Sequence, residues 1–230
     1  MEIKPEYRKK SIRSYVVRAG RMTPAQRQAF DGGWSRYGLK LCDGALDTER
    51  EFGAKAPLIV EIGFGMGDSL LQMAQAAPDC HFVGIEVHPP GVGSLMNAAA
   101  AVEVDNLRLY LADATDVMRE CIGAQSVDRL QLYFPDPWHK KKHNKRRIVQ
   151  PDFVQMVRSR LRLGGVFHMA TDWQPYAEQM LETMQQADGF SNCAVSDYAR
   201  TPDYRPLTKF ERRGARLGHG VWDLLFERCS

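Results

Sequence analysis

Residues 58–68 read Leu58-Ile59-Val60-Glu61-Ile62-Gly63-Phe64-Gly65-Met66-Gly67-Asp68, an apolar run that breaks into three glycines at alternate positions. The run is strand-length and lacks polar alternation, as expected of a strand covered on both faces. Glycines let a backbone turn sharply and come close to a ligand. Asp68–Ala77 follows as a helix, stopped by Pro78. Strand, glycine turn and the free N–H groups of a helix N-terminus together form a ligand cradle.

The alternation continues outward from this unit. The pattern predicts strands at 81–87, 107–111, 127–134 and 165–170, with helices at 92–102, 115–121, 151–161 and 174–187 between and after them. Two last strands fall near 190–196 and 220–228, a hairpin whose long insertion carries Thr208–Arg213. Upstream, Thr23-Pro24 is a helix start with proline at the first position. That helix is expected over 24–37, interrupted or ended near Gly32 and Gly33. Strands alternating with helices imply an α/β fold with a seven-stranded, mostly parallel sheet, helices on both faces and an antiparallel C-terminal hairpin. The domain organisation expected is a flexible basic arm over 1–22 and one domain over 23–230.

The cradle carries acids at informative places. Glu86 ends the second strand about 20 residues after the glycines, where a carboxylate accepts the hydroxyls of an adenosine ribose. Asp113 follows the third strand, placed to meet an adenine amino group. The spacing of Gly63, Gly65 and Gly67 is G-x-G-x-G and not the G-x-G-x-x-G of dinucleotide binders. Glu61 suits a cofactor with an amino group and a sulfonium and repels a pyrophosphate. These features select S-adenosylmethionine (SAM) over a nicotinamide dinucleotide.

The fourth strand leads into Phe134-Pro135-Asp136-Pro137-Trp138-His139-Lys140, then Lys141, Lys142, His143, Asn144, Lys145, Arg146 and Arg147. Ligands of such sheets bind beyond the carboxyl ends of the strands. The two prolines restrict the backbone around Asp136. Trp138 offers a face for a stacked base, and the cations after it can grip phosphates. His139 and His143 sit four apart, but among lysines and arginines they make a poor metal pair, so no metal is expected.

Composition narrows the class. The chain has 230 residues, 44% hydrophobic and 26% charged, enough for a sizeable core. Its net charge of +3 is small, yet residues 1–21 hold seven cations against two acids, and 140–147 hold six cations and no acid. Such clusters attract a polyanion. The five cysteines are odd in number and scattered, which reads as reduced thiols of a cytoplasmic protein. No apolar N-terminal or membrane-length run is present in the sequence. Monomer and homodimer are both compatible with it, and no obligate protein partner is evident.

Taken together, E-I-G-F-G-M-G, G-I-E-V-H at 84–88, F-P-D-P-W-H-K-K at 134–141, T-D-W at 171–173 and T-K-F-E at 208–211 resemble the bacterial tRNA (guanine-N7-)-methyltransferases, class I SAM-dependent enzymes with a Rossmann-like fold. The resemblance spans roughly residues 30–228, and the F-P-D-P-W block is its most specific part. It implies transfer of a methyl group from SAM to N7 of guanine 46 in the tRNA variable loop. It places Glu61, Glu86, Asp113 and Asp136 around SAM, with Asp136 also the catalytic residue. It assigns Lys140, Asp172 and Thr208, Lys209, Phe210 and Glu211 to the substrate, and Lys142–Arg147 to RNA. Lys142 departs from the arginine expected in many relatives, which weakens a bidentate phosphate contact but keeps the charge. Alternatives are a SAM enzyme acting on another RNA or a protein, and a non-catalytic tRNA-binding module.

Overall fold

The computed structural model describes residues 13–16, 20–208, 211 and 220–230. Its described residues form two compact units, 20–123 in one and 13–16 with 124–230 in the other. The expected arm falls mostly on residues 1–12 and 17–19, which lie outside the described residues, as do Lys209, Phe210 and 212–219 of the C-terminal insertion.

The first unit opens with α1 (Pro24–Tyr37), capped reciprocally: Thr23 Oγ1 accepts the Gln26 N–H at 3.2 Å, and the Gln26 side chain accepts the Thr23 N–H at 2.9 Å. The helix runs through Gly32 and Gly33, contrary to the expected interruption. Two helical glycines cost about 2 kcal/mol relative to alanine. Phe30, Trp34 and Tyr37 lie on one face at i, i+4 and i+7 and are all buried. Burying Phe30 alone is worth roughly 1.5–3 kcal/mol, so the apolar stripe wins.

Four strands follow: β1 (Gly38–Leu39), β2 (Leu58–Ile62), β3 (His81–Glu86) and β4 (Leu107–Leu111). They lie in the order β1-β4-β3-β2, all parallel. Every residue of β2 and β3 is buried, as continuous apolar runs require. The helices are α2 (Thr48–Phe52), α3 (Asp68–Ala76), α4 (Pro89–Ala101) and α5 (Ala114–Glu120).

In the second unit, β5 (Val127–Tyr133), α6 (Pro151–Arg160), β6 (Leu161–Thr171), α7 (Gln174–Gln185), β7 (Phe190–Asn192) and β8 (Trp222–Arg228) give the strand order β5-β6-β8-β7. β5 and β6 are parallel, whereas β8 runs antiparallel to both β6 and β7, the expected C-terminal hairpin. The described residues thus contain eight strands, not seven. The extra one is β1, whose two residues pair with Leu109 and Tyr110 and are too few to show a period. No helix among the described residues is long and apolar enough to cross a membrane.

Candidate active site

The cofactor cradle is built in the first unit, where β2 meets α3. Gly63, Gly65 and Gly67 all adopt left-handed backbone, with φ of +76°, +60° and +84°. An L side chain there costs roughly 1–2 kcal/mol, so the turn selects glycine three times. The turn is pinned by Gly63 N–H to the Ile85 carbonyl at 2.8 Å and Gly67 N–H to the Phe64 carbonyl at 3.0 Å. A Cβ on Gly63 or Gly65 would meet no heavy atom within 4 Å, so one side of the turn is open. A Cβ on Gly91 would collide with the Gly65 carbonyl oxygen, so the start of α4 closes the opposite side only because Gly91 has no side chain.

Glu86 lies against this turn. Its Oε2 accepts the Gly65 N–H at 2.9 Å, and its Oε1 accepts the Val87 and His88 N–H groups at 2.6 and 3.1 Å. Burial pushes the carboxyl above the usual range, against these three N–H groups that favour its ionised form. Glu61 is buried on the neighbouring strand, in register with Gly84. Asp113 is buried too, but its Oδ1 caps α5 by accepting the Thr115 N–H at 2.8 Å and the Thr115 hydroxyl at 2.6 Å. Glycine backbone open on one side, a buried carboxylate held by N–H groups and a second acid at the strand end fit a sulfonium cofactor with a ribose diol.

The loop after β5 is shaped by different forces. Phe134 and Trp138 have φ of +50° and +46°, left-handed values for two bulky residues. Each costs roughly 1–3 kcal/mol and persists only where its surroundings impose it. They bracket Pro135-Asp136-Pro137 and leave Asp136 exposed. Trp138 is half-buried, its Nε1–H donates to the Ser14 carbonyl at 2.9 Å, and the Arg146 guanidinium sits 3.6 Å from its ring centroid. Arg146 Nε also donates to the Arg13 carbonyl at 3.1 Å. Trp138 is therefore already stacked by an arginine and not a bare platform. Among the described residues of this unit an exposed aromatic is Trp173, 36% accessible, with the His139 ring edge-on at 4.4 Å and exposed Asp172 beside it.

The basic run forms a 3-10 turn over Lys141–Arg146. Lys140, Lys141, Lys142 and Lys145 are exposed, and His143 and Asn144 are half-buried. Arg147 differs: it is 4% exposed and turned inward. Sequence reading groups it with the phosphate-facing cations because side-chain direction is invisible at that level.

Thr208 and Glu211 face each other, with Thr208 N–H donating to Glu211 Oε2 at 2.7 Å and Glu211 N–H donating to Thr208 Oγ1 at 3.1 Å. This is a capping box, so T-K-F-E also has a local structural reason. Glu211 is buried and pairs with Arg205 at 2.6 Å. Arg205 in turn pairs with Asp223 on β8, whose Oδ1 lies 2.8 Å from His168 Nε2. His168 Nδ1 lies within 3.0 Å of the Tyr133 and Tyr204 hydroxyls. Burial holds the His168 imidazole below its usual range, despite Asp223. A neutral ring donates from Nε2 to Asp223 and offers one lone pair at Nδ1, which the two tyrosine hydroxyls share. Burial opposes the Asp223 charge, yet His168, Arg205 and Thr201 hold its carboxyl below the usual range. Sequence analysis misses this network, whose members are spread from 133 to 223; the local hint was a cluster of polar residues inside otherwise apolar strands.

Residues 55–224 match the model of a family described as "Putative methyltransferase". A tRNA (guanine-N(7)-)-methyltransferase of Saccharophagus degradans is 61% identical over 227 residues, 98% of this chain and 99% of that protein. One from Pseudomonas aeruginosa is 56% identical over 222 residues, 96% of this chain and 91% of that protein. Among solved structures, the 16S rRNA methyltransferase KamB aligns with a TM-score of 0.57 at 17% identity, over 94% of this chain and 99% of that one. The aminoglycoside resistance methyltransferase NpmB1 gives 0.52 at 15% identity, over 80% and 94%. At these identities the structural likeness is one of fold alone.

Proposed function

This chain belongs to the tRNA (guanine-N(7)-)-methyltransferase family, and we propose that the guanine it modifies is position 46 of the variable loop. It is a SAM-dependent enzyme that methylates N7 of guanine in tRNA. Identity of 61% across 98% of the chain carries that reading. Because tRNA is the substrate, we place the enzyme in the cytoplasm.

SAM, when bound, supplies an electrophilic methyl group on a sulfonium centre. Glu86 holds the ribose hydroxyls, Glu61 and the Gly63–Gly67 backbone face the methionine part, and Asp113 faces the adenine. Guanine N7 carries a lone pair and no proton, so its attack needs no general base. Asp136 accordingly works by position and charge: its carboxylate sits beside the purine ring that becomes cationic as the N7–methyl bond forms. Lys140, Asp172 and Thr208 serve the substrate, Lys209 and Phe210 are assigned to it by the family resemblance alone, and buried Glu211 supports Thr208 through the capping box. Trp173 supplies the stacking surface for an extruded base, the part that sequence reading gives to Trp138. Lys140, Lys141, Lys142 and Lys145 neutralise phosphates, with His143, Asn144 and Arg146 completing the RNA-facing run.

The test is a mass-spectrometric nucleoside profile of tRNA from a strain lacking the gene, with complementation by wild type and by Asp136→Ala. Loss of 7-methylguanosine alone, restored by wild type and not by Asp136→Ala, is the expected outcome. Unchanged 7-methylguanosine, or restoration by Asp136→Ala, contradicts the reading.

A further inference from the structure

The turn that carries Asp136 is strained at both ends and cannot hold itself. Its upstream end is secured by Phe134 N–H to the Ala170 carbonyl at 2.8 Å and by the Arg205 guanidinium, 5.8 Å from the Phe134 ring and 5.6 Å from the Tyr133 ring. Its downstream end is secured by Arg147. Arg147 Nε donates to the Pro137 carbonyl at 2.8 Å. The same guanidinium donates from Nη1 to the Pro175 carbonyl at 3.3 Å and to Gln179 Oε1 at 3.0 Å. It also lies 4.7 Å from the ring centroid of buried Tyr176. One planar fork thereby ties the residue next to Asp136 to α7.

We propose that Arg147 is a positioning residue for Asp136 and makes no contact with RNA, an inference that rests on Asp136 being the catalytic carboxylate. Its side chain is 4% exposed, while the four lysines of the same run are exposed. The Nε and Nη1 donors are taken by two carbonyls and an amide and the planar face by a ring, so the fork is held by the protein and little of it is left for a phosphate. Pro137 lacks an N–H and restricts the residue before it, so fixing its carbonyl fixes the Asp136 backbone. Displacement of a reacting group by about 1 Å costs on the order of 100-fold in rate.

Arg147→Lys and Arg147→Gln separate this reading from its rivals. Lysine keeps the charge but cannot span three acceptors in a plane. For Arg147→Lys, kcat on tRNA should fall by roughly 10- to 100-fold, with KM and the affinity for adenosylhomocysteine within about threefold. Arg147→Gln should lose at least as much kcat, and its tRNA affinity should keep the wild-type salt dependence. A phosphate contact would instead spare Arg147→Lys and lower the salt slope of Arg147→Gln by about 1. A merely structural role would lower the melting temperature while leaving kcat intact in the cold. Either result overturns the proposal.

Gln179→Met is the milder variant. It removes one acceptor from the fork, and a severalfold loss of kcat is expected; wild-type kcat counts against the proposal. Combining Arg147→Lys with Asp136→Asn should slow the reaction no further than Asp136→Asn alone, because the arginine acts through the aspartate. Additive losses overturn the proposal and leave the Asp136 reading standing. Full turnover by Asp136→Ala removes the Asp136 reading itself, and this inference falls with it.

Discussion

Replacing Gly67 with alanine should damage the fold, whereas the same change at Gly65 should chiefly damage cofactor binding. Both residues have left-handed backbone, so either alanine carries roughly 1–2 kcal/mol of strain. At Gly67 the new Cβ would also lie 2.7 Å from Leu95 Cβ and 2.8–2.9 Å from both its δ carbons, inside the packing of α3 against α4. Leu95 is 1% exposed and cannot move into solvent, so overpacking adds roughly 1–3 kcal/mol. The sum for Gly67→Ala is about 2–5 kcal/mol, or a melting temperature lower by roughly 4–20 °C for a chain of this size. At Gly65 the Cβ meets no heavy atom within 4 Å, so only the strain remains, roughly 2–8 °C. On the proposed site, that open direction is the side from which the cofactor would approach. Adenosylhomocysteine affinity of Gly65→Ala should therefore fall at least tenfold, about 1.4 kcal/mol, more than strain relief elsewhere can restore. Scanning calorimetry and titration calorimetry on both variants decide the matter. Equal melting temperatures, or full affinity in Gly65→Ala, would refute the assignment of one glycine to packing and the other to the ligand.

Glu86→Gln should weaken adenosylhomocysteine binding about tenfold or more. In wild type the affinity should drop on acidification at a pH above the usual carboxylate range, because burial raises the Glu86 carboxyl and only its ionised form accepts both hydroxyls; titration across pH reads this directly. Asp223 has the opposite sign. Its folded-state value is depressed, so its contribution to stability is complete above the ordinary aspartate range and disappears as pH falls through the depressed value, and urea unfolding of Asp223→Asn should show a shallower acid-side loss than wild type. Lys142→Ala and Lys145→Ala, both exposed, should each reduce the slope of log affinity for tRNA against log salt by about 1 and leave the melting temperature within about 2 °C. Trp173→Ala should raise KM for tRNA by roughly 5- to 100-fold, the worth of one stacked base, while Trp173→Phe retains most of the affinity.

The cradle was open to sequence reading because it is local. Strand, glycines, helix start and the acids at 61, 86 and 113 lie within one stretch of chain, and each follows from backbone geometry or charge. Proline punctuation placed α6 at Pro151, and the Thr23-Pro24 pair placed α1, since caps and fixed φ act within one turn. What stayed hidden depends on tertiary packing. β1 exists only because β4 lies beside it, and α2 spans five residues between its Asp47 cap and Gly53. Nothing in the run Lys140–Arg147 distinguishes four outward lysines from an inward arginine; that distinction is made by Pro137, Pro175 and Gln179. Trp138 reads as a free platform until Arg146 is found against it. The buried set of His168, Arg205, Glu211 and Asp223 spans 55 positions of chain, and its ends meet through the pairing of β6 with β8.

The most direct test of the central claim is incubation of purified protein with methyl-labelled SAM and unmodified tRNA, followed by mapping of the labelled nucleotide. The account predicts label on N7 of the guanine at position 46, absent when that guanine is replaced by adenine and nearly absent with Asp136→Ala. Label on a different atom or nucleotide, or label undiminished in Asp136→Ala, contradicts it.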